Sequence, residues 1–378
     1  MLNVLLISPR LPANHKSYSG EHAYTDTLLR YPPPGVRYLH YEDLLATGEV
    51  RKIPLLYRIG PRCQKLRLLP PDLWAEYLSV SLRPDLIHIH GFSAVVQLSR
   101  DVQSAPIVLS TSTGSIYDLK FYLGWEDERI RRGRWTKRQF LKLIGAHDSS
   151  LRPEAASRVL VWSEFARQLH LDEGWVRPNQ IDVLYPGLPG RGDSNRSFTR
   201  KPEVTFLFIG RDFVRKNGQL VLDAFRRVRA DHPDVKLIFV STLPDGYKIT
   251  EPGVEHHESL RRQELLERIY PQADVLVLPS RAEGFGLVLL EAMSFGMPVI
   301  GMNAWAMPEV VEHEKTGFLI EANRAQLAQL VDSMLACTNP AVFGALQRNT
   351  RQVFERRFSV ETHNKRLFSF YQDALINA

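Results

Sequence analysis

The chain has 378 residues, 44% of them hydrophobic and 24% charged, and a formal net charge of +6. That length suits two domains of roughly 100–200 residues each, and the composition excludes a disordered or low-complexity chain. Its two cysteines, Cys63 and Cys337, lie far apart and outside any Cys-x-x-Cys pair, which excludes a disulfide framework and a cysteine zinc motif.

The N-terminus, Met1-Leu2-Asn3-Val4-Leu5-Leu6-Ile7-Ser8-Pro9, lacks the basic start and long apolar run of a secretory signal. No stretch approaches the ~20 apolar residues that span a bilayer. A cytoplasmic protein is expected, either free or peripheral on the inner face of the cell membrane. The charge is uneven. Residues 1–190 carry a net +5, and the segment 120–142 alone, with 8 basic and 3 acidic residues, supplies an excess of that size. A local basic patch suits an anionic partner.

In chain order, the first strand reads Val4–Ile7. A loop from Ser8 to Gly20 follows, then a helix near His22–Arg30. Further strands read at Val36–Leu39, Leu86–Ile89, Ile107–Leu109, Val159–Trp162 and Ile181–Leu184, with segments of helical length between most of them. Largely apolar strands alternating with helices indicate a parallel sheet covered on both faces. Pro186-Gly187-Leu188-Pro189-Gly190-Arg191-Gly192-Asp193-Ser194-Asn195 is a cluster of turn-forming residues and reads as a linker. The alternation then restarts. Strands read at Val204–Ile209, Val235–Val240, Asp274–Leu278, Pro298–Gly301 and Gly317–Ile320; helices read at Asn217–Arg229, Gln263–Tyr270, Leu287–Phe295 and Arg324–Leu335. In the tail, Val360–Ile376, the residues Leu367, Phe368, Phe370, Tyr371 and Leu375 form one helical face, so that helix docks on something. The expected organisation is an N-terminal Rossmann-like domain at 1–186, a linker at 187–201, a C-terminal Rossmann-like domain at 202–357, and a last helix at 358–378.

The densest chemical signal is Leu278-Pro279-Ser280-Arg281-Ala282-Glu283-Gly284-Phe285-Gly286-Leu287-Val288-Leu289-Leu290-Glu291. A buried strand ends at Leu278, and a turn with two glycines enters a helix near Leu287. Glycines let backbone N–H groups approach a ligand, and a helix N-terminus adds partial positive charge. Such junctions at the carboxyl ends of strands are where open α/β sheets bind ligands. Paired carboxylates raise the question of a glycoside hydrolase, whose two groups stand ~5–9.5 Å apart. The spacing of Glu283 and Glu291 better suits two different hydroxyl-bearing parts of one long ligand. The plainer alternative makes Glu283 a helix-capping carboxylate and Glu291 a solvated one. A second strand–loop–helix junction, Phe208-Ile209-Gly210-Arg211-Asp212-Phe213-Val214-Arg215-Lys216-Asn217-Gly218, sets Arg211 and Lys216 across one loop, able to converge on a diphosphate. An ordinary basic loop is its alternative.

Glu283-Gly284-Phe285-Gly286, then Glu291, Gly296-x-Pro298-Val299-Ile300, Pro308-Glu309-Val310-Val311 and Thr316-Gly317-Phe318 together resemble the retaining GT-B glycosyltransferases of family four. Gly210-Arg211…Lys216-x-Gly218, Ala273-Asp274-Val275…Pro279-Ser280 and Trp162-Ser163-Glu164-Phe165-Ala166 carry the same resemblance, which is strongest across 203–320. It implies an α/β fold of two Rossmann-like domains facing each other across a cleft, with the last helix, 358–378, returning to the N-terminal domain, and transfer of a sugar from a nucleotide-sugar donor to a saccharide or lipid-linked acceptor in cell-envelope polysaccharide or glycolipid synthesis. Glu283, Arg211 and Lys216 would be the catalytic groups, with Glu283 on the donor-sugar hydroxyls and the two cations on the diphosphate. Gly284, Phe285, Gly286 and Leu287 would offer backbone amides, and Glu291 would hold the ribose. Gly20 would lie near the phosphates, in a loop that in this family has two adjacent glycines; here Glu21 follows it.

Ser112, in Ile107-Val108-Leu109-Ser110-Thr111-Ser112, stands where the family has a histidine at the reaction centre. His88 and His90, on one face of the preceding strand, could lie nearby, and His90 with Ser112 is assigned to the acceptor side. The two histidines lack a third metal ligand in sequence reach. With no Asp-x-Asp motif present, neither a metal nor a cofactor is expected, and charge on the departing diphosphate would be met electrostatically. An oxidoreductase is excluded because no Gly-x-Gly-x-x-Gly follows the first strand, and nucleic acid is not an expected partner. A non-catalytic scaffold or regulatory subunit of the same fold is the alternative function. The segment Arg129–Ile144 reads as a basic amphipathic helix with Trp135 at its interface. It makes an anionic membrane surface a candidate partner.

Overall fold

The computed structural model describes residues 1–11, 19–52, 77–91, 95–98, 105–113, 117, 120, 124–143, 147–148, 156–174, 176–191 and 203–376. The chain divides into two compact units. The first holds Met1–Arg10, Glu21–Tyr185 and His363–Ala378; the second holds Leu11–Gly20 and Pro186–Thr362. Most of the segment read as a linker lies outside the described residues.

The strands of the first unit are β1 Leu2–Ile7, β2 Val36–His40, β3 Val50–Lys52, β4 Tyr77–Val80, β5 Leu86–His90, β6 Val95–Leu98, β7 Ile107–Thr111, β8 His147–Asp148, β9 Arg158–Val161 and β10 Ile181–Val183. Six of them form a parallel sheet in the order β10-β9-β7-β5-β1-β2. Leu5 of β1 pairs with Leu39 on one side and Ile87 on the other, and Ile89 of β5 pairs with Leu109 of β7. Val4 to Ile7 are fully buried in succession, as a strand covered on both faces requires. Leu5, Ile7, Ile87, Ile89, Leu109, Val159 and Val161 form the heart of this core. The remaining four make a smaller mixed sheet, β3-β4-β6-β8. The sequence pattern did not show it, because strands of two to four residues carry too little periodicity.

The last helix, Val360–Ile376, buries His363, Asn364, Leu367, Tyr371 and Ala374. Arg366 donates to the Val183 carbonyl and Asn364 to the Tyr31 carbonyl, each at 2.7 Å. The buried face therefore differs from the apolar one read in the sequence: polar His363 and Asn364 are inside, whereas Leu375 is exposed.

The second unit holds β11 Thr205–Asp212, β12 Lys236–Thr242, β13 Val254–His257, β14 Val275–Leu278, β15 Val299–Met302 and β16 Gly317–Ile320. They form one sheet in the order β13-β12-β11-β14-β15-β16, every pair parallel. The edge strand β13 is largely polar and was not legible as a strand. Helices Gly218–Asp231, Leu287–Ser294, Gln326–Thr338 and Pro340–Arg357 alternate with the strands or follow them. Asn339 caps the last of these, its Oδ1 accepting from Ala341 N at 3.0 Å, and Pro340 opens it. The helix expected at Gln263–Tyr270 is not regular. One α turn at Arg262–Glu264 passes into a π turn at Leu265–Ile269 and a 3₁₀ turn at Tyr270–Gln272. Among the described residues, no helix is long and apolar enough to cross a membrane.

Candidate active site

In the second unit, β11 and β14 are sheet neighbours, so the loops leaving their carboxyl ends lie side by side. The loop after β11 is a tight turn: Lys216 N donates to Asp212 O at 2.9 Å, and Gly218 N to Phe213 O at 2.8 Å. Asn217 takes a left-handed conformation, φ 61°. This turn drives the Lys216 side chain inward, against Gly210. A Cβ on Gly210 would stand 2.7 Å from Lys216 Cβ, so any side chain there would push the lysine away.

Four contacts bolt the two loops together. Arg281 N donates to Arg215 O at 2.8 Å, Arg215 Nη1 donates to Ala282 O at 2.9 Å, and Arg281 Nε donates to Asn217 Oδ1 at 3.3 Å. The fourth is an ion pair, Lys216 Nζ to Glu283 Oε2, with each side chain 11% exposed. Ser280 Oγ also donates to that carboxylate, at 3.4 Å. The sequence reading set Lys216 beside Arg211. The structure instead brings Lys216 onto Glu283 and leaves Arg211 exposed on β11.

Glu291 is held separately. Arg262 donates to its Oε1 at 2.9 Å and the Tyr270 hydroxyl to its Oε2 at 2.9 Å. Burial, with Glu291 beside it, pushes the Tyr270 hydroxyl well above its ordinary pKa, so it stays a donor. Its ring stacks on Phe295 with centroids 5.3 Å apart. The irregular turns at 262–272 are what aim Arg262 and Tyr270 at one carboxylate, and π turns of this kind often mark functional sites. Glu291 is buried, which removes the solvated alternative. Neither Arg262 nor Tyr270 carried a sequence signal for this role. Only Tyr270, as the apolar end of a helix, could have drawn notice.

Gly284 and Phe285 are buried, and Gly286, at φ 81°, precedes the Leu287–Ser294 helix. A glycine offers no side-chain cap, and while Leu289 N donates to Gly286 O at 2.8 Å, among the described residues no side chain caps the Leu287 and Val288 N–H groups. Gly20 groups with this unit, and a Cβ there would lie 3.4 Å from Leu287 Cβ.

In the first unit, His90 ends β5 and Ser112 follows β7. The two do not touch each other in the described contacts. Both meet Glu21: His90 Nε2 lies 2.7 Å from Glu21 Oε2, and Ser112 Oγ donates to Glu21 Oε1 at 2.5 Å. His88 and His90 share one partner, Ser110 Oγ, at 2.7 Å each. The basic helix spans Asp127–Leu143, with Ile130 buried and Trp135 65% exposed. Arg129 sits over the Trp125 ring, 4.1 Å from its centroid. The side chains of Phe140, Leu141 and Leu143 and all of Ile144 lie outside the described residues. Among the described residues, no group of three or more His, Cys, Asp or Glu is placed to hold a metal ion.

Residues 192–352 match the family model of the glycosyl transferases group 1. D-inositol 3-phosphate glycosyltransferase of Rhodococcus erythropolis is 30% identical over 318 residues, 77% of this chain and 68% of that protein. UDP-Gal:alpha-D-GlcNAc-diphosphoundecaprenol alpha-1,3-galactosyltransferase of Escherichia coli is 22% identical over 316 residues, 78% of this chain and 76% of that one. The chain spans about half the length of some other curated relatives it matches. Among solved structures, HepE of Anabaena, in complex with UDP and glucose, matches with a TM-score of 0.62 over 98% of this chain and 99% of that one, at 17% identity. At that identity the likeness shows the fold alone, and that fold is GT-B.

Proposed function

Because the chain belongs to the glycosyl transferases group 1 family, we propose that it moves a sugar from a nucleoside-diphosphate sugar to a hydroxyl acceptor, using the loops after β11 and β14 as its donor site. The buried Lys216–Glu283 pair carries this reading. A lysine has three N–H donors and a carboxylate about four acceptor positions. One contact between them leaves Lys216 two donors for diphosphate oxygens and Glu283 room for sugar hydroxyls. Each partner positions the other before the donor arrives. Arg211 adds charge from the rim of the same loop, and the backbone N–H groups from Gly284 to Leu287 add partial charge. Glu291, fixed by Arg262 and Tyr270, is the acceptor of hydrogen bonds from the ribose.

The donor base we propose is uridine, supported by the UDP bound to HepE and by the UDP-sugar in the name of the E. coli relative. The acceptor we propose is a saccharide or lipid-linked saccharide of cell-envelope polysaccharide or glycolipid synthesis, and the lipid diphosphate in that relative's name supports it. Transfer proceeds with retention, as the resemblance to family four implies, and without a metal, because Lys216, Arg211 and the helix N-terminus meet the developing phosphate charge.

Thermal shift of the full chain with UDP, GDP and ADP tests the donor. At a hundredfold excess over Kd, a ligand bound to the folded state adds ~2.7 kcal/mol, or about 5–11 °C for a domain of this size. UDP should shift the melt most, and UDP-glucose, UDP-galactose or UDP-GlcNAc should release UDP equally with and without EDTA. No shift with any nucleotide would end the reading. Loss of turnover in EDTA, restored by Mg²⁺, would end its metal-free part. Binding without turnover would favour a non-catalytic role.

A further inference from the structure

Within the second unit, the loops after β11 and β14 are joined residue against residue. Arg281 N donates to Arg215 O at 2.8 Å, and the Arg215 guanidinium answers from Nη1 to Ala282 O at 2.9 Å. The next residue of each loop forms the buried ion pair, Lys216 to Glu283. Consecutive residues of one loop thus meet consecutive residues of the other: Arg215 meets Ala282, and Lys216 meets Glu283. Asp212 holds the same guanidinium at another edge. Its Oδ1 accepts from Arg215 N at 3.0 Å, and its Oδ2 lies 3.3 Å from Arg215 Nε. One planar fork therefore spans Asp212 and the Ala282 carbonyl, which a lysine ammonium would not match in geometry.

This contact controls where Glu283 stands. Ala282 is buried, and a buried carbonyl that loses its donor is costly to leave unpaired, so the peptide that leads into Glu283 is held to Arg215. On the other side the chain is close-packed: a Cβ on Gly286 would stand 3.2 Å from Glu283 Cγ. The carboxylate is two methylenes from this backbone. A slip of the loop by one residue would set Lys216 against a neighbour of Glu283 and leave a buried charge unmatched. The charge of Arg215 is itself met by Asp212, so its guanidinium serves the loops, whereas Lys216 and Arg211 serve the diphosphate.

We propose that Arg215, held by Asp212, is a positioning residue for sugar transfer: it fixes the offset between the two loops and acts on the donor sugar through Glu283. This rests on the donor-site reading above.

UDP release by the full chain tests it, with UDP-glucose, UDP-galactose or UDP-GlcNAc as the probe, whichever wild type hydrolyses fastest. Arg215→Gln deletes the fork. It should lower kcat at least about fivefold, since small misplacements of a reacting group are costly. UDP affinity, read by titration calorimetry, should stay within about twofold of wild type, because an interaction felt only in turnover leaves nucleotide binding alone. Arg215→Lys, whose ammonium reaches one partner at a time, should recover part of the loss. The deciding measurement is a double-mutant cycle with Glu283→Gln. A residue that acts through Glu283 has little left to lose once that carboxylate is gone, so adding Arg215→Gln should lower kcat by less than about twofold more. Should Arg215→Gln fail to melt cooperatively, Asp212→Ala removes the support of the guanidinium from a half-exposed side chain, and the same cycle applies to it. Losses that multiply in the cycle would overturn the proposal. So would a fall in UDP affinity equal to the fall in kcat, which would make Arg215 a ligand of the diphosphate. A kcat less than about fivefold below wild type would also overturn it. Failure of the donor reading looks different: wild type itself would show no UDP-induced melting shift and no hydrolysis.

Discussion

Removing Lys216 separates what the buried ion pair does for the fold from what it does for the donor. Lys216→Met keeps the volume of the side chain and deletes the charge. Glu283 is then left with Ser280 as a distant partner, in a site where its side chain is 11% exposed. Breaking a buried pair on one side costs ~3–5 kcal/mol, because the remaining charge has lost its solvent and its partner. At about 2–4 °C per kcal/mol for a domain of this size, the second unit should melt roughly 6–20 °C lower. Adding Glu283→Gln removes the stranded charge, and the double variant should recover most of that loss. Donor turnover should not recover. Without the ammonium, kcat/KM should stay at least ~30-fold down, the equivalent of ~2 kcal/mol of lost electrostatic stabilisation in the transition state. Differential scanning calorimetry and UDP-release kinetics on the same preparations read the two effects. A single variant that melts like wild type would show that the pair does not form in solution. A double variant regaining activity would remove Lys216 from the reaction.

Other outcomes follow from the same geometry. Glu291→Ala should weaken UDP binding with little change in turnover at saturating donor, whereas Glu283→Ala should mainly lower turnover; equal loss of UDP affinity, measured by titration calorimetry, would contradict the division. Tyr270→Phe should cost ~0.5–1.5 kcal/mol of stability from one lost hydrogen bond, read by urea denaturation. His363 is buried and its pKa is pushed down to about 4, against an ordinary 6.5. The unfolded chain therefore binds its proton first, so the stability tied to His363 is full above pH 6.5 and is lost as pH falls toward 4, by about 3 kcal/mol in all. His363→Gln should flatten that part of a stability–pH curve; an unchanged slope would mean the imidazole is not buried in solution. Wild type should float with anionic vesicles at low salt and dissociate as salt rises, and replacement of Arg131, Arg132, Arg134, Lys137 and Arg138 by serine should abolish flotation; a wild type that ignores such vesicles would favour a soluble acceptor.

The central strands of the two large sheets were legible because they bury both faces. Val4–Ile7, Val275–Leu278 and Val299–Met302 are apolar runs bounded by turn residues, and that pattern is local. The loops that carry Lys216 and Glu283 were legible for the same reason: each lies between such a strand and a helix, and Gly210, Gly218, Gly284 and Gly286 punctuate them. The small sheet β3-β4-β6-β8 and the polar edge strand β13 were not legible, since their pairing partners rather than their own residues hold them extended.

By itself, then, the sequence determined the two α/β units, the chain positions of their main strands, and which loops carry carboxylates and cations. Only the tertiary structure decided which charge meets which. Lys216 and Arg211 stand five positions apart in one loop, yet Lys216 turns inward to a carboxylate 67 residues away. Arg262 and Tyr270 reach Glu291 only because their helix tightens and loosens within eleven residues. Glu21, read in the sequence as an interruption of a glycine pair, meets His90 and Ser112, which come from later strand ends. Such pairings depend on the direction of each side chain after the sheet has formed. Buried charges and hydrogen-bonding groups then take whatever partner stands within about 3 Å, because leaving one unpaired away from water costs more than any local preference.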